Sequence, residues 1–220
     1  MATDPKGSPL PARAGRGIVV FDLGGVLLDW NPRHLYRKLF AGDEAAMEHF
    51  LATVCTHEWN RCQDAGRTFA EGARLLKAEH PDKGDLIDAY HGRFDEMIAG
   101  PIAGSVEILA ELRDRGTPLY SLTNWSAETF PAALERFAFL RWFRGILVSG
   151  EAGVIKPDPR IFTLLIERFA VDPKRTVYID DVETNIAAAR HFGIHAIHFT
   201  TVERLREELV VLRLLSSRAA

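Results

Sequence analysis

Cysteine is scarce in this chain. Only Cys55 and Cys62 occur among 220 residues, and no histidines cluster with them at ligand spacing. That excludes a disulfide scaffold and argues against zinc. Both fall in a stretch of helical pattern, which puts them two turns apart on one face, too far for an easy disulfide. The expected state is two half-buried thiols in a reducing compartment. Long hydrophobic runs are also missing; none approaches the ~18 residues of a membrane span. Charge of one sign is lacking too. Twenty-seven basic residues stand against 30 acidic ones, a net −3, so no broad basic field recruits nucleic acid. Neither nucleic acid nor membrane is an expected partner. Residues 1–16 lack the apolar core of about 7–15 residues that a secretory signal needs, and they read as a flexible tail on a cytoplasmic protein. What is present is ordinary for a globular chain: 47% apolar and 26% charged residues, with roughly 70–75% of the unfolded surface buriable at this length.

The pattern changes at Gly17. Gly17–Leu23 is a near-continuous apolar run ending in Asp22, as expected of a strand buried on both faces. Similar runs follow at Pro118–Asn124, Gly145–Ser149, Thr176–Asp180 and His195–Thr200, with helical patterns between them. The alternation predicts an α/β fold with a Rossmann-like parallel sheet covered on both faces. Residues 32–100 break the alternation. They show no strand, while Leu35, Leu39, Phe50, Leu51, Phe69, Leu75, Leu76, Leu86, Ile87, Tyr90 and Phe94 recur at helical spacing. About seventy residues are too many for a simple crossover, so this region reads as an inserted helical subdomain. The catalytic core is then 17–31 with 101–220. From Val202 onward Leu205, Leu209, Leu212 and Leu215 mark an amphipathic helix, expected to pack on the core rather than to form a homodimer face. The chain is expected to be a monomer or a homodimer.

In open parallel sheets ligands bind beyond the carboxyl ends of the strands. Those ends carry Asp22, then Thr123 and Asn124, then Asp180 and Asp181, and Lys156 follows the third core strand. Three crowded carboxylates raise one another's pKa unless a cation joins them. A hard divalent ion with oxygen ligands, most simply Mg2+, meets that need and accepts phosphate oxygens. Lys156 offsets further negative charge, Thr123 can grip a phosphoryl oxygen, and Asp22 keeps an oxygen for nucleophilic attack, giving an aspartyl-phosphate that water hydrolyses. Asp181 is the expected direct metal ligand and Asp180 the outer one. Asn185 either orients that loop or simply begins the next helix.

The segments Phe21–Leu27 (FDLGGVL), Leu122–Asn124 (LTN), Lys156–Asp158 (KPD) and Ile179–Asn185 (IDDVETN) together resemble the haloacid dehalogenase superfamily. They are most similar to phosphatases of the glucose-1-phosphatase type with an α-helical cap. The resemblance implies Asp22 as nucleophile and metal ligand, Thr123 and Asn124 at the phosphate, Lys156 steadying the intermediate, and Asp180 and Asp181 completing a Mg2+ site. It also implies that the insertion is a mobile cap. One position departs from most family phosphatases. The second residue after the nucleophile is Gly24 rather than an acid. Its carbonyl can reach a metal, but it supplies no proton, and general acid–base help is worth about 10²–10⁴ in rate. A cap residue or water must supply that proton, or substrates with weakly basic leaving groups must be favoured.

In the insertion, Trp59, Asn60, Arg61 and Gln63 precede Asp64-Ala65-Gly66. This turn either faces the site and reads the leaving group, with Trp59 as a substrate contact, or is a helix junction anchored by Trp59. Asp29 reads as a turn residue. The leading function is hydrolysis of a small phosphorylated metabolite, with a sugar 1-phosphate as the example. A 2-haloacid dehalogenase would use the same Asp22 without metal, for which the Asp180–Asp181 pair is unneeded charge. A non-catalytic binding module has Gly24 as its support.

Overall fold

A computed structural model describes residues 17–217; the segment read as a flexible tail, residues 1–16, lies outside them. In chain order the core opens with β1 (Ile18–Phe21) and the short β2 (Leu28–Trp30). Five helices follow: α1 (Arg33–Leu39), α2 (Glu44–Thr53), α3 (His57–Asp64), α4 (Phe69–Glu79) and α5 (Gly84–Gly92). The chain then continues through β3 (Ile98–Pro101), α6 (Ala103–Asp114), β4 (Leu119–Thr123), α7 (Phe130–Arg136), β5 (Gly145–Val148) and the single turn α8 (Ser149–Ala152). It ends with α9 (Pro159–Phe169), β6 (Thr176–Asp180), α10 (Glu183–His191), β7 (His195–His198) and α11 (Val202–Val211).

The main sheet has the order β5-β4-β1-β6-β7, and every pairing in it is parallel. The apolar runs of the sequence are these five strands. Alternation within β1 explains why both faces are covered. Val19 and Phe21 face a cluster with Ile108, Leu109 and Leu112 of α6 and Leu205 and Leu209 of α11. Val20 faces the other cluster, with Ile161, Phe162 and Leu165 of α9 and Ile186 of α10. The last helix therefore packs on the core, as its leucines suggest, and Arg206 ties it to Glu111 of α6 at 2.9 Å.

The helical insertion leaves and rejoins the core through an antiparallel ribbon, β2 with β3, which pairs Leu28 with Pro101 and Trp30 with Ile98. This ribbon corrects the reading of 32–100 as free of strands. Strands of three and four residues, the second ending in Gly-Pro, carry too little periodicity to be seen. Within the insertion Leu35, Phe50, Leu51, Phe69, Leu76, Ile87, Tyr90 and Phe94 are buried as their spacing suggests, whereas Leu75 is exposed. Thr56 and Thr68 start α3 and α4 by accepting from the Trp59 and Glu71 N–H groups, caps worth about 1 kcal/mol each. The cysteines do not share a helix face: Cys55 lies in the break before α3 and Cys62 within it, and both thiols are free. No helix of the described residues is long and apolar enough to cross a membrane.

Candidate active site

The chain leaves β1 to one side for β4 and later returns to the other side for β6, so the sheet order reverses at β1. Parallel strands end on the same edge, and this switch point is where a crevice opens. Asp22 sits there, one residue past β1, with its N–H on the Ile179 carbonyl at 2.8 Å. Thr123 ends β4, Asn124 follows it, and Asp180 ends β6, with Asp181 next.

Lys156 binds these ends together. It is fully buried. Its Nζ lies 2.9 Å from Asp22 Oδ2 and 2.7 Å from Asp180 Oδ2, and donates to the Leu122 carbonyl at 3.1 Å. Asn124 fixes the Lys156 peptide rather than standing free, since both ends of its amide bond the Lys156 backbone. Asp158 caps α9 just beyond, accepting from the Arg160 N–H.

The two neighbouring aspartates differ sharply. Asp180 is fully buried and accepts from Lys156, the Tyr178 hydroxyl, the Val182 N–H at 2.8 Å and Asn185 Nδ2 at 3.0 Å. Asn185 thus orients this loop. Asp181 is exposed, and carboxylate oxygens of Asp22, Asp180 and Asp181 lie within 4.8 Å of one another. Gly25 makes room for this cluster. Its φ is +75°, and a Cβ there would sit 2.4 Å from Asp181 Oδ2.

The electrostatics follow from burial and from Lys156. Burial pushes the Asp22 carboxyl up to about 7; Lys156 opposes the shift, and Asp180 and Asp181 add to it. Although exposed, Asp181 is also raised, by partial desolvation of its carboxyl and then by Asp180. Asp180 goes the other way. Burial would raise it, but the charge and hydrogen bonds of Lys156, with those of Tyr178 and Val182, hold it below the usual range. Burial would lower Lys156, yet Asp180 and Asp22 outweigh that and keep its ammonium charged. Burial, with the neighbouring carboxylates adding to it, therefore raises two of the three, and the lysine exempts the third.

A cavity of about 300 Å³ lies over this cluster, with Asp22, Gly24, Thr123, Asn124, Lys156 and Asp181 in its lining. The insertion contributes His57, Asn60, Arg61 and Asp64 from α3. Trp59, the sequence's candidate substrate contact, is not brought to the cavity. Its Nε1 donates to the Gly72 carbonyl at 3.3 Å and its ring packs against Phe69 and Tyr90. Asp29 is also outside, exposed beside His34 at 3.1 Å. The contributions of Trp30, Phe94 and Trp125 to the wall have no signature in the sequence, because apolar wall residues look like core residues.

A site of this kind, at the switch point of a parallel sheet, places the chain among the α/β proteins that bind ligands beyond the strand ends. Its family is specific. A family model described as haloacid dehalogenase-like hydrolase matches residues 17–193, and the chain belongs to that family. Phosphoglycolate phosphatase of Mesorhizobium japonicum is 29% identical over 196 residues, covering 83% of this chain and 82% of that protein. (S)-2-haloacid dehalogenase 4A of Burkholderia cepacia is 26% identical over 192 residues, covering 81% and 80%. A HAD family enzyme of Bacteroides thetaiotaomicron, solved with magnesium and inorganic phosphate, has a TM-score of 0.65 at 23% identity, covering 84% of this chain and 95% of that one. That likeness shows the fold alone.

Proposed function

We propose that this chain is a Mg2+-dependent phosphatase of small phosphorylated metabolites. The observation that carries the reading is the cluster of three carboxylates, Asp22, Asp180 and Asp181, two of them bridged by Lys156, at the floor of a cavity. A dehalogenase acting through Asp22 alone has no use for that density of negative charge.

The residues present fit a hard divalent ion. All available donors are oxygens. Asp180 already accepts from four protein groups, whereas Asp181 is open. Asp22, Asp181 and the Gly24 carbonyl would therefore hold the ion directly, with Asp180 behind them. When bound, it would neutralise the carboxylates and polarise a phosphoryl oxygen. The protein's own groups do the rest. Asp22 attacks phosphorus and forms the aspartyl-phosphate. Lys156 balances charge on that intermediate, Thr123 contacts the phosphoryl group, and Asn124 acts through its grip on Lys156. Residues 32–100 serve as a cap over the core of 17–31 and 101–220, excluding water while the ester is cleaved. The two free thiols suit a reducing compartment, and the cytoplasm is the proposed location.

The test is a panel of phosphorylated metabolites assayed with Mg2+ and with EDTA, beside a 2-haloacid control. Mg2+-dependent phosphate release that vanishes in Asp22→Asn is the expected result. Halide release undiminished by EDTA would establish the dehalogenase instead. Tight binding without turnover would establish a binding module.

A further inference from the structure

Gly24 leaves the leaving oxygen without a proton donor from the core, which turns attention to the acids that the insertion brings to the cavity. Arg61 cannot release a proton. Lys156 is held in its charged form by two carboxylates. Asp29 is outside; His57 also lines the cavity, but it stands exposed at the first position of α3 with no hydrogen bond among the described residues to fix its ring. Asp64 remains, at the last position of the same helix and in the cavity wall.

Its placement is secured from both sides. Buried Asn60 donates to Asp64 Oδ2 at 3.0 Å, and the Ser126 N–H also bonds the carboxyl. The Asp64 carbonyl accepts from Ser149 Oγ at 2.6 Å, and Ser149 Oγ in turn accepts from the Trp125 N–H at 2.9 Å. Two residues on, Gly66 has φ +105°, and a Cβ there would lie 3.3 Å from the Gly150 carbonyl oxygen. The Asp64–Gly66 turn thus lies directly on the core loops that follow β4 and β5. These loops bring Thr123 and Asn124 to the same cavity, so Asp64 is held in fixed relation to Asp22.

We propose that Asp64, presented from the insertion, is the general acid and base that Gly24 cannot be. The assignment rests on the phosphatase reading above. In the first step Asp22 forms an O–P bond and the ester O–P bond breaks. The leaving oxygen keeps that electron pair and takes the Asp64 proton. In the second step water attacks phosphorus, the Asp22 O–P bond breaks, and the Asp64 carboxylate accepts the proton that water gives up. Ester and water become alcohol and phosphate, and both aspartates return to their starting states. Burial supports the role by raising the Asp64 carboxyl to about 7, against the opposing pull of Arg61, the Ser126 N–H and Lys156. The other titratable groups around it are Tyr90, a neutral phenol on α5, and His57, Asp22 and Asp181 in the cavity lining.

The experiment compares wild type, Asp64→Asn and the double variant Gly24→Asp/Asp64→Asn on aryl and alkyl phosphates of graded leaving-group basicity. Wild type should show a shallow dependence. Asp64→Asn should lose about 10²-fold or more in kcat with alkyl phosphates but only a few-fold with dinitrophenyl phosphate, whose leaving group needs no proton. The fall in kcat as pH rises past about 7 should also vanish. Gly24→Asp should restore alkyl phosphate turnover in the double variant, since a Cβ at position 24 meets nothing nearer than 4.0 Å. An equal loss on every substrate, without rescue, would mean that Asp64 is structural and would overturn the assignment. Unchanged slope and pH profile would overturn it too. If wild type hydrolyses no phosphate ester, the phosphatase reading itself fails and takes this one with it.

Discussion

Asn124 holds the Lys156 peptide at both ends: its Oδ1 accepts the Lys156 N–H at 2.8 Å, and its Nδ2 donates to the Lys156 carbonyl at 3.1 Å. A side chain at the end of one strand thus aims a lysine from a distant loop at two carboxylates. Each bond is worth about 0.5–1.5 kcal/mol. Asn124→Ala should therefore cost about 1–3 kcal/mol in urea unfolding. It should also lower kcat/KM by misplacing Lys156, although no metal ligand is touched.

Lys156→Ala should be more severe. It leaves Asp180, which is 0% exposed, without its cation, and breaking a buried pair typically costs about 3–5 kcal/mol. Stability and kcat should fall together, and phosphate binding should weaken as well, because the charge is used in ground and transition states alike. Chemical denaturation and steady-state kinetics on the same preparation check both.

Asp180 and Asp181 should separate cleanly. Mg2+ at about 100 times its Kd should stabilise the wild type by about 2.7 kcal/mol. Asp181→Asn should abolish that gain while leaving the metal-free protein nearly as stable, because Asp181 is exposed. Asp180→Asn should weaken the metal-free protein itself by disturbing four hydrogen-bond donors. Gly25→Ala should behave like Asp181→Asn toward Mg2+, with an added folding cost from its positive φ. Thermal unfolding with and without Mg2+ reads all three.

The pH dependence of stability has a definite sign. The folded Asp64 carboxyl sits at about 7 because burial raises it, against about 3.9 in an unfolded chain. Between these values the folded state holds the extra proton. Its contribution is therefore complete below about pH 4 and lost as pH rises through about 7. Asp22, also raised to about 7 by burial, acts in the same direction. Without Mg2+, the melting temperature should fall from about pH 5 to about pH 8, and Asp64→Asn should flatten part of that fall. A melting temperature that rises over this range would contradict the buried, protonated carboxyl.

The sheet and the core half of the site are legible from sequence because both rest on local pattern. Runs such as Val19-Val20-Phe21, alternating with helical patterns, suit a parallel sheet covered on both faces, and parallel strands bring Asp22, Thr123 and Asp180 to one edge whatever surrounds them. The insertion is different. On α3, Trp59 and Asp64 sit five positions apart amid polar residues, and both sides of the helix are covered, one by aromatic rings and the other by the cavity. Helical periodicity distinguishes buried from exposed faces but not a face buried against core from one buried against a binding site. Only the docking of the Asp64–Gly66 turn onto Ser149 and Gly150 decides which side faces the cavity. The β2–β3 ribbon and the lowering of Asp180 likewise depend on partners distant in sequence, Ile98–Pro101 in the first case and Lys156 in the second. Such contacts form only when the chain is folded, and no local pattern encodes them.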